Sequence, residues 1–140
     1  MVDLKKAYYS LYDKIMAEQL KQESALKIPF ENITPNDEFY LDILYRHKGI
    51  TLSEFASLAK VTKPGATHII TRFEKLGAVY RTQSSTDKRV YHLELNSALI
   101  TYYQKSYQIF DDIFRKMELC LKPDEVSFLI DLFKKMEGVL

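Results

Sequence analysis

The sequence has 140 residues, 46% hydrophobic and 28% charged, with only four Gly and four Pro; this suits one globular domain, or one small domain with extensions, and leaves little for flexible linkers. A single cysteine, Cys120, excludes an intramolecular disulfide framework and a cysteine-rich zinc site and suits a reducing, cytoplasmic setting, and no apolar run approaches the roughly 20 residues of a membrane span. The net charge of +1 hides a division: from Tyr45 to His92 nine Lys and Arg stand against three acids, so that stretch carries +6 and the remainder −5, a basic middle that suits a polyanionic partner as well as a plainly solvated surface.

The opening residues Met1 to Ser10 carry two lysines with no apolar core behind them, unlike a secretory leader. A first helix is predicted from about Asp3 to Lys27, because Leu4, Ala7, Tyr8, Leu11, Tyr12 and Ile15 recur at three- and four-residue steps. Pro29 and the stretch Asn32 to Pro35 end it. Thr34 then caps a second helix, with Pro35 at its first position and Asp37 near its positive end; Phe39, Ile43 and Leu44 form the predicted buried face, and Gly49 stops it.

A short third helix opens on the capping box Thr51-Leu-Ser-Glu54 and buries Phe55, Leu58 and Ala59. After the tight connection Lys60-Val61-Thr62, a fourth helix begins with Thr62 as cap and Pro64 in the first turn. Ala66, Ile69, Ile70, Phe73 and Leu76 point inward, and Gly77 ends it. The period then changes to two: Ala78 to Thr82 and Arg89 to Leu95 read as the strands of a hairpin whose tip is Gln83 to Lys88. Asn96 caps a fifth helix running from Ala98 to about Leu121, and Pro123 opens a sixth carrying Val126, Leu129, Ile130, Phe133 and Met136. The first, fifth and sixth helices hold more apolar surface than a small helical hairpin buries alone, which calls for a second copy across a two-fold axis.

The functional pattern lies in residues 51–77: short helix, three-residue turn, longer helix. In a helix-turn-helix the second helix enters the major groove of DNA. Its outward positions here are Lys63, Pro64, Gly65, Thr67, His68, Thr71 and Arg72, small, polar or basic and free of acids. Gly65 allows close approach near a helix N-terminus whose free amides attract phosphate. Arg72 suits guanine or phosphate, and Thr67 and His68 suit base edges. A solvated helix face would look similar, but the hairpin adds to the pattern. Its tip carries Asp87, Lys88 and Arg89, with Arg81 on the opposite strand. A guanidinium there fits the negative potential of a narrow minor groove, and an acid two residues earlier can hold it by a charge-assisted bond; the plain reading of the same residues is a polar turn with a surface ion pair.

The run Val61-Thr-Lys-Pro-Gly-Ala-Thr-His-Ile-Ile-Thr-Arg-Phe-Glu-Lys-Leu-Gly-Ala-Val-Tyr-Arg81 resembles the recognition helix and first wing strand of MarR-family transcriptional regulators, and Asp87-Lys-Arg-Val-Tyr-His-Leu-Glu-Leu-Asn96 resembles that family's wing with its Asp-x-Arg signature. The resemblance extends over nearly the whole chain. It implies a mainly α fold with a small β-hairpin wing: an N-terminal dimerisation helix in residues 1–33, a winged helix-turn-helix lobe in 34–96 and C-terminal dimerisation helices in 97–140. It further implies a homodimer that reads a pseudo-palindromic site in double-stranded DNA, with residues 63 to 72 in the major groove, Asp87 and Arg89 paired at the wing tip and Arg89 in the minor groove. A repressor released by a small molecule or a stress signal is the expected role, and a winged-helix module that binds an acidic protein is the alternative. Two residues depart from the family pattern: His68 stands where a basic residue is frequent, and Gly65 where Ser or Thr is usual.

The remaining chemistry-bearing residues give weaker signals. His47, His68 and His92 show no ligand spacing, so no metal and no cofactor is expected. Cys120 has Lys116 and Lys122 nearby and otherwise reads as a small residue in a helix interface rather than a redox sensor. Tyr8, Tyr12, Phe39, Tyr40 and Tyr45 are the candidate lining for a small aromatic ligand, which the family often binds between dimer helices and DNA lobe; aromatics at helical spacing serve more often as core or interface. No phosphate loop, nucleophile elbow or His-Glu metal helix appears, so no enzyme and no membrane partner is expected.

Overall fold

In the computed structural model, which describes residues 3–23 and 26–140, the element order is α1 (Leu4–Glu23), α2 (Pro35–Arg46), α3 (Leu52–Ala59), α4 (Lys63–Leu76), β1 (Val79–Gln83), β2 (Tyr91–Leu95), α5 (Ser97–Glu118) and α6 (Pro123–Glu137). This is the mainly helical fold with one antiparallel hairpin that the sequence predicts. The first helix ends earlier than expected: Lys27 is outside any helix, and Ser24 and Ala25 fall outside the described residues. The strands also shift, β1 by one residue and β2 to begin at Tyr91, because Asp87 to Val90 are taken up by the turn, where the Val90 amide donates to the Asp87 carbonyl at 3.0 Å.

The chain divides into two compact units, residues 26–105 and a second made of residues 1–25 with 106–140. In the first, the caps set the helix starts. Thr34 and Thr51 each accept the amide three residues on and receive a carboxylate on their own amide, so two otherwise unpaired donors are satisfied at each start. Thr62 accepts from the Gly65 amide at 3.1 Å. Gly77 closes α4 in the left-handed region, at φ +77°. Lys60 takes the same region at φ +55°, a conformation that costs an L-residue about 1–2 kcal/mol and turns the chain sharply from α3 into α4.

The apolar faces of α2, α3 and α4 meet the inner face of the hairpin around Leu41, Phe55, Ile70, Phe73, Leu93 and Leu99, all fully buried. Burial of each such side chain contributes about 1.5–3 kcal/mol. Three expected core positions lie elsewhere: Phe39, Leu58 and Leu76 are exposed, while Leu41 and Ala56 are buried in their helices. The buried stripe of α2 runs Asp37, Leu41, Leu44, so an acid occupies its first position and the stripe is rotated from the one that Phe39 suggests.

The hairpin register pairs Val79 with Leu95, Arg81 with Leu93 and Gln83 with Tyr91. Its base is held to the α2–α3 turn: the Leu93 amide donates to the Ile50 carbonyl at 2.8 Å, Thr51 bridges His92, and a His92 ring N–H (Nδ1) donates to the Gly49 carbonyl at 2.7 Å. Asn96 accepts the Ala98 amide at 2.7 Å and starts α5 as expected.

In the second unit, Glu23 accepts from the Ser106 hydroxyl at 2.8 Å and Glu18 from Lys116 Nζ at 3.2 Å, which ties α1 to the later part of α5. Ile113 is buried. Several large apolar side chains are exposed, among them Leu4, Tyr8 and Leu20 on α1 and Phe128, Ile130 and Phe133 on α6, and α6 buries none of its residues.

Candidate nucleic-acid interface

Helix α4 presents Lys63, Pro64, Thr67 and His68 fully outward, with Gly65, Thr71 and Arg72 partly covered. The pattern follows from α4's period, which sends Ala66, Ile70 and Phe73 into the core. The Thr67 hydroxyl donates to the Lys63 carbonyl at 3.0 Å, which leaves its oxygen lone pairs facing outward as acceptors. The helix start differs from the expected anion cradle. Pro64 has no amide hydrogen, and Gly65 donates to Thr62, so the Lys63 amide remains. A Cβ at Gly65 would stand 3.0 Å from the Thr62 hydroxyl oxygen. The space above that cap is therefore small, and glycine keeps it open.

Arg72 and Arg81, expected as groups facing DNA, both make ion pairs within the protein. Arg72 forms a two-pronged pair with Asp37: Nη1 donates to Oδ2 at 3.1 Å, and Nη2 donates to Oδ1. Asp37 is 1% exposed and also accepts the Thr34 amide at 3.0 Å. The Arg72 guanidinium holds its carboxyl below the usual carboxylate range, against the opposing effect of burial, and the Thr34 donors add to the lowering. The Asp37 carboxylate in turn raises Arg72. Arg81 Nε donates to Glu74 at 3.0 Å and so ties β1 to α4. Neither carboxylate figured among the candidate residues. In sequence Asp37 reads as an acid near the positive end of α2 and Glu74 as a helix acid, and nothing local marks the arginine that each meets.

The wing tip matches its expected pairing. Asp87 accepts the Arg89 amide at 3.0 Å, Arg89 Nε at 3.2 Å and Arg89 Nη2 at 3.2 Å. The Arg89 side chain remains 91% exposed, so its orientation is set while its charge faces solvent. Hydrogen bonds from Arg89, the side chain first and then the amide, hold the Asp87 carboxyl below its ordinary range. Lys88 is exposed beside it. Gln83, missed in the sequence, donates to the Lys88 carbonyl at 2.8 Å and closes the loop, and the Ser84 hydroxyl accepts the Thr86 and Asp87 amides at 3.3 and 3.4 Å.

The aromatic candidates fall into two groups. Tyr8 and Tyr12, in the unit of residues 1–25 and 106–140, stack at 5.8 Å on the exposed side of α1. In the other unit Phe39 meets Tyr40 at 5.6 Å, Tyr40 lies edge-on to Phe55 at 6.0 Å, and Tyr45 stacks on Tyr103 at 5.3 Å. Cys120 is exposed, and its thiol donates to the Met117 carbonyl. Among the described residues no three His, Cys, Asp or Glu side chains gather where they could hold a metal ion, and no helix is long and apolar enough to cross a membrane.

Comparison with known proteins points the same way. The model of the MarR family matches residues 33–91. The chain is 28% identical over 108 residues to the HTH-type transcriptional regulator FarR of Neisseria gonorrhoeae, covering 77% of this chain and 74% of FarR. It is 32% identical over 95 residues to the HTH-type transcriptional repressor MdtR of Bacillus subtilis (strain 168), covering 68% of this chain and 58% of MdtR. Among solved structures, S. aureus MepR bound to ethidium bromide is similar at a TM-score of 0.67 with 18% identity, over 99% of this chain and 96% of that one. The S. aureus MepR–DNA complex is similar at 0.62 with 18% identity over the full length of both chains, and YusO from Bacillus subtilis at 0.56 with 22% identity, over 99% of this chain and 94% of that one. At these identities the structures establish the fold; the family model adds that residues 33–91, the segment that holds the helix-turn-helix and the wing tip, match the MarR family, and two transcriptional regulators are similar in sequence over longer stretches.

Proposed function

We propose that the chain is a DNA-binding transcriptional regulator, acting as a homodimeric repressor on a pseudo-palindromic operator. The observation that carries this reading is the pairing of an acid-free outward face on α4 with a wing tip whose Arg89 is oriented by Asp87 yet almost wholly exposed. The α4 face suits a major groove, where Thr67 and His68 meet base edges and Lys63 a phosphate; the wing suits the adjacent minor groove, with Arg89 inserted and Lys88 on the backbone. FarR and MdtR carry regulator and repressor in their names, and MepR has been solved with DNA, which supports the same role here.

The second copy accounts for the exposed apolar strips of α1 and α6, surface that a soluble monomer rarely leaves open. Two such copies would set their reading helices about one turn of DNA apart, roughly 34–36 Å. The release signal proposed is a small aromatic molecule. MepR has been solved with ethidium, a planar aromatic, and this chain offers exposed aromatic side chains such as Phe39 and Tyr8.

The test is a fluorescence-anisotropy titration of the purified chain against the duplex upstream of its own gene and against a random duplex, each at two salt concentrations. Specific binding should exceed random binding by at least a thousandfold at physiological salt, and alanine at Arg89 should reduce the salt slope by about one. Equal affinity for both duplexes would overturn the reading in favour of a protein-binding module.

A further inference from the structure

We infer that Arg72 is a positioning residue rather than a DNA contact: its pair with the buried carboxylate of Asp37 holds the reading helix α4 at a set rotation against the start of α2. The inference rests on the DNA-reading role proposed above and changes what one of its residues does. Three observations carry it. Both terminal nitrogens of Arg72 are engaged by Asp37, and the Arg72 guanidinium carbon lies 5.0 Å from the ring centre of Phe73, so the end-on fork of the guanidinium, two of its five N–H donors, is committed within the protein. Asp37 is 1% exposed, and apart from Arg72 it accepts from the Thr34 amide. A carboxylate buried this deeply requires its cation, and removing either partner leaves the other uncompensated.

The third observation is where the pair sits. The partners are 35 residues apart in sequence, and the Asp37 carboxylate also completes the capping box of α2 by accepting the Thr34 amide, so the contact joins the first turn of one helix to the reading helix. Arg72 follows His68 by four positions and Thr67 by five, within about a turn and a half of the same helix. Successive residues on a helix differ by about 100°. A small rotation of α4 about its axis would therefore move Thr67 and His68 off the base edges without unfolding anything, because hydrogen bonds to base edges weaken steeply as distance and angle leave their narrow range.

The experiment uses the full chain with D37N, R72Q, R72K and the D37N/R72Q double variant, each checked for wild-type helical content by circular dichroism. Affinity is measured for the upstream duplex and for a random duplex across a salt series, and amide hydrogen exchange is followed in free protein. With Arg72 as a positioning residue, D37N and R72Q each weaken specific binding about tenfold, D37N with random-duplex binding level or raised and R72Q with the salt slope unchanged. The double variant is then no worse than the weaker single, R72K recovers part of the loss, and both single variants speed exchange in α4 and in the first turn of α2. A fall of about one in the salt slope for R72Q, with D37N binding as well as wild type or better, identifies a phosphate contact and overturns the inference. If wild type discriminates between no duplexes, the regulator reading fails. The exchange arm then still decides on the clamp, and unchanged protection in D37N and R72Q would overturn it.

Discussion

Asp87 holds Arg89 through three hydrogen bonds, one to the backbone amide and two to the guanidinium. The acid therefore aims the arginine without hiding it. In D87N the aim is loosened while the chain gains one unit of positive charge. Affinity for the specific duplex should fall, though less than in R89A, while affinity for random duplex stays level or rises. Since the Arg89 donors keep Asp87 ionised below its ordinary range, mild acidification does not reproduce the variant. Specific affinity should hold steady for this pair down to about pH 5. A specific affinity that D87N leaves untouched would show that the wing needs no aiming.

The Asp37–Arg72 pair makes a prediction about acid stability. The folded-state pKa of Asp37 is depressed, whereas an unfolded chain titrates it near about 3.9. Its contribution is present above that unfolded value and is lost as pH falls through the folded one. Urea midpoints of wild type should therefore decline between pH 5 and pH 2.5, and those of D37N should decline less. At pH 7 the D37N variant should be less stable by about 1–2 kcal/mol, the usual value of a hydrogen bond to a charged group reduced because the Arg72 side chain is 40% exposed. Parallel acid limbs for the two proteins would remove the pair from the list of stabilising contacts.

Gly77 gives a test of backbone rather than contacts. At φ +77° it has nothing within 4 Å of a Cβ that might be added. Steric clash is thus absent, and G77A isolates the left-handed penalty, about 1–2 kcal/mol. Chemical denaturation should show that loss with an unchanged slope, and a variant as stable as wild type would contradict the observed helix end.

The uncovered strip on α6 bears on assembly. Phe128 and Phe133 are 64% and 51% exposed. Replacing both with Glu should convert a dimer to a monomer in sedimentation velocity and lower operator affinity by at least a hundredfold, since one half-site then binds alone. A wild-type chain that sediments as a monomer, or a double variant that remains a dimer, would place the contact elsewhere.

Much of this arrangement was legible in the chain itself. The order of elements follows from caps and stops that act within four residues: Thr34, Thr51, Thr62, Gly77 and Asn96 each do in space what their local pattern predicts. The outward face of α4 follows from its period, and the Asp87–Arg89 pair from its two-residue spacing. What was not legible depends on distance or on an exception. The pattern of α2 points to Phe39 rather than Leu41 as core because its buried stripe begins with a carboxylate, Asp37, a residue type seldom found inside. The partners of Arg72 and Arg81 lie 35 and seven residues away, and no short-range rule assigns them. A lone arginine on a reading helix looks the same in sequence whether it faces a phosphate or a buried aspartate.

The loop beyond β1 has a property of another kind. From Gln83 to Tyr91 its bonds run among its own residues: Gln83 to Lys88 and Tyr91, Ser84 to Thr86, Asp87 and Val90, and Asp87 to Arg89. A segment that folds on its own terms can be exchanged like a cartridge. Insertions, shortenings and new side chains there leave the lobe beneath undisturbed, so this stretch is where descendants of the chain can acquire a different target at little cost to foldability.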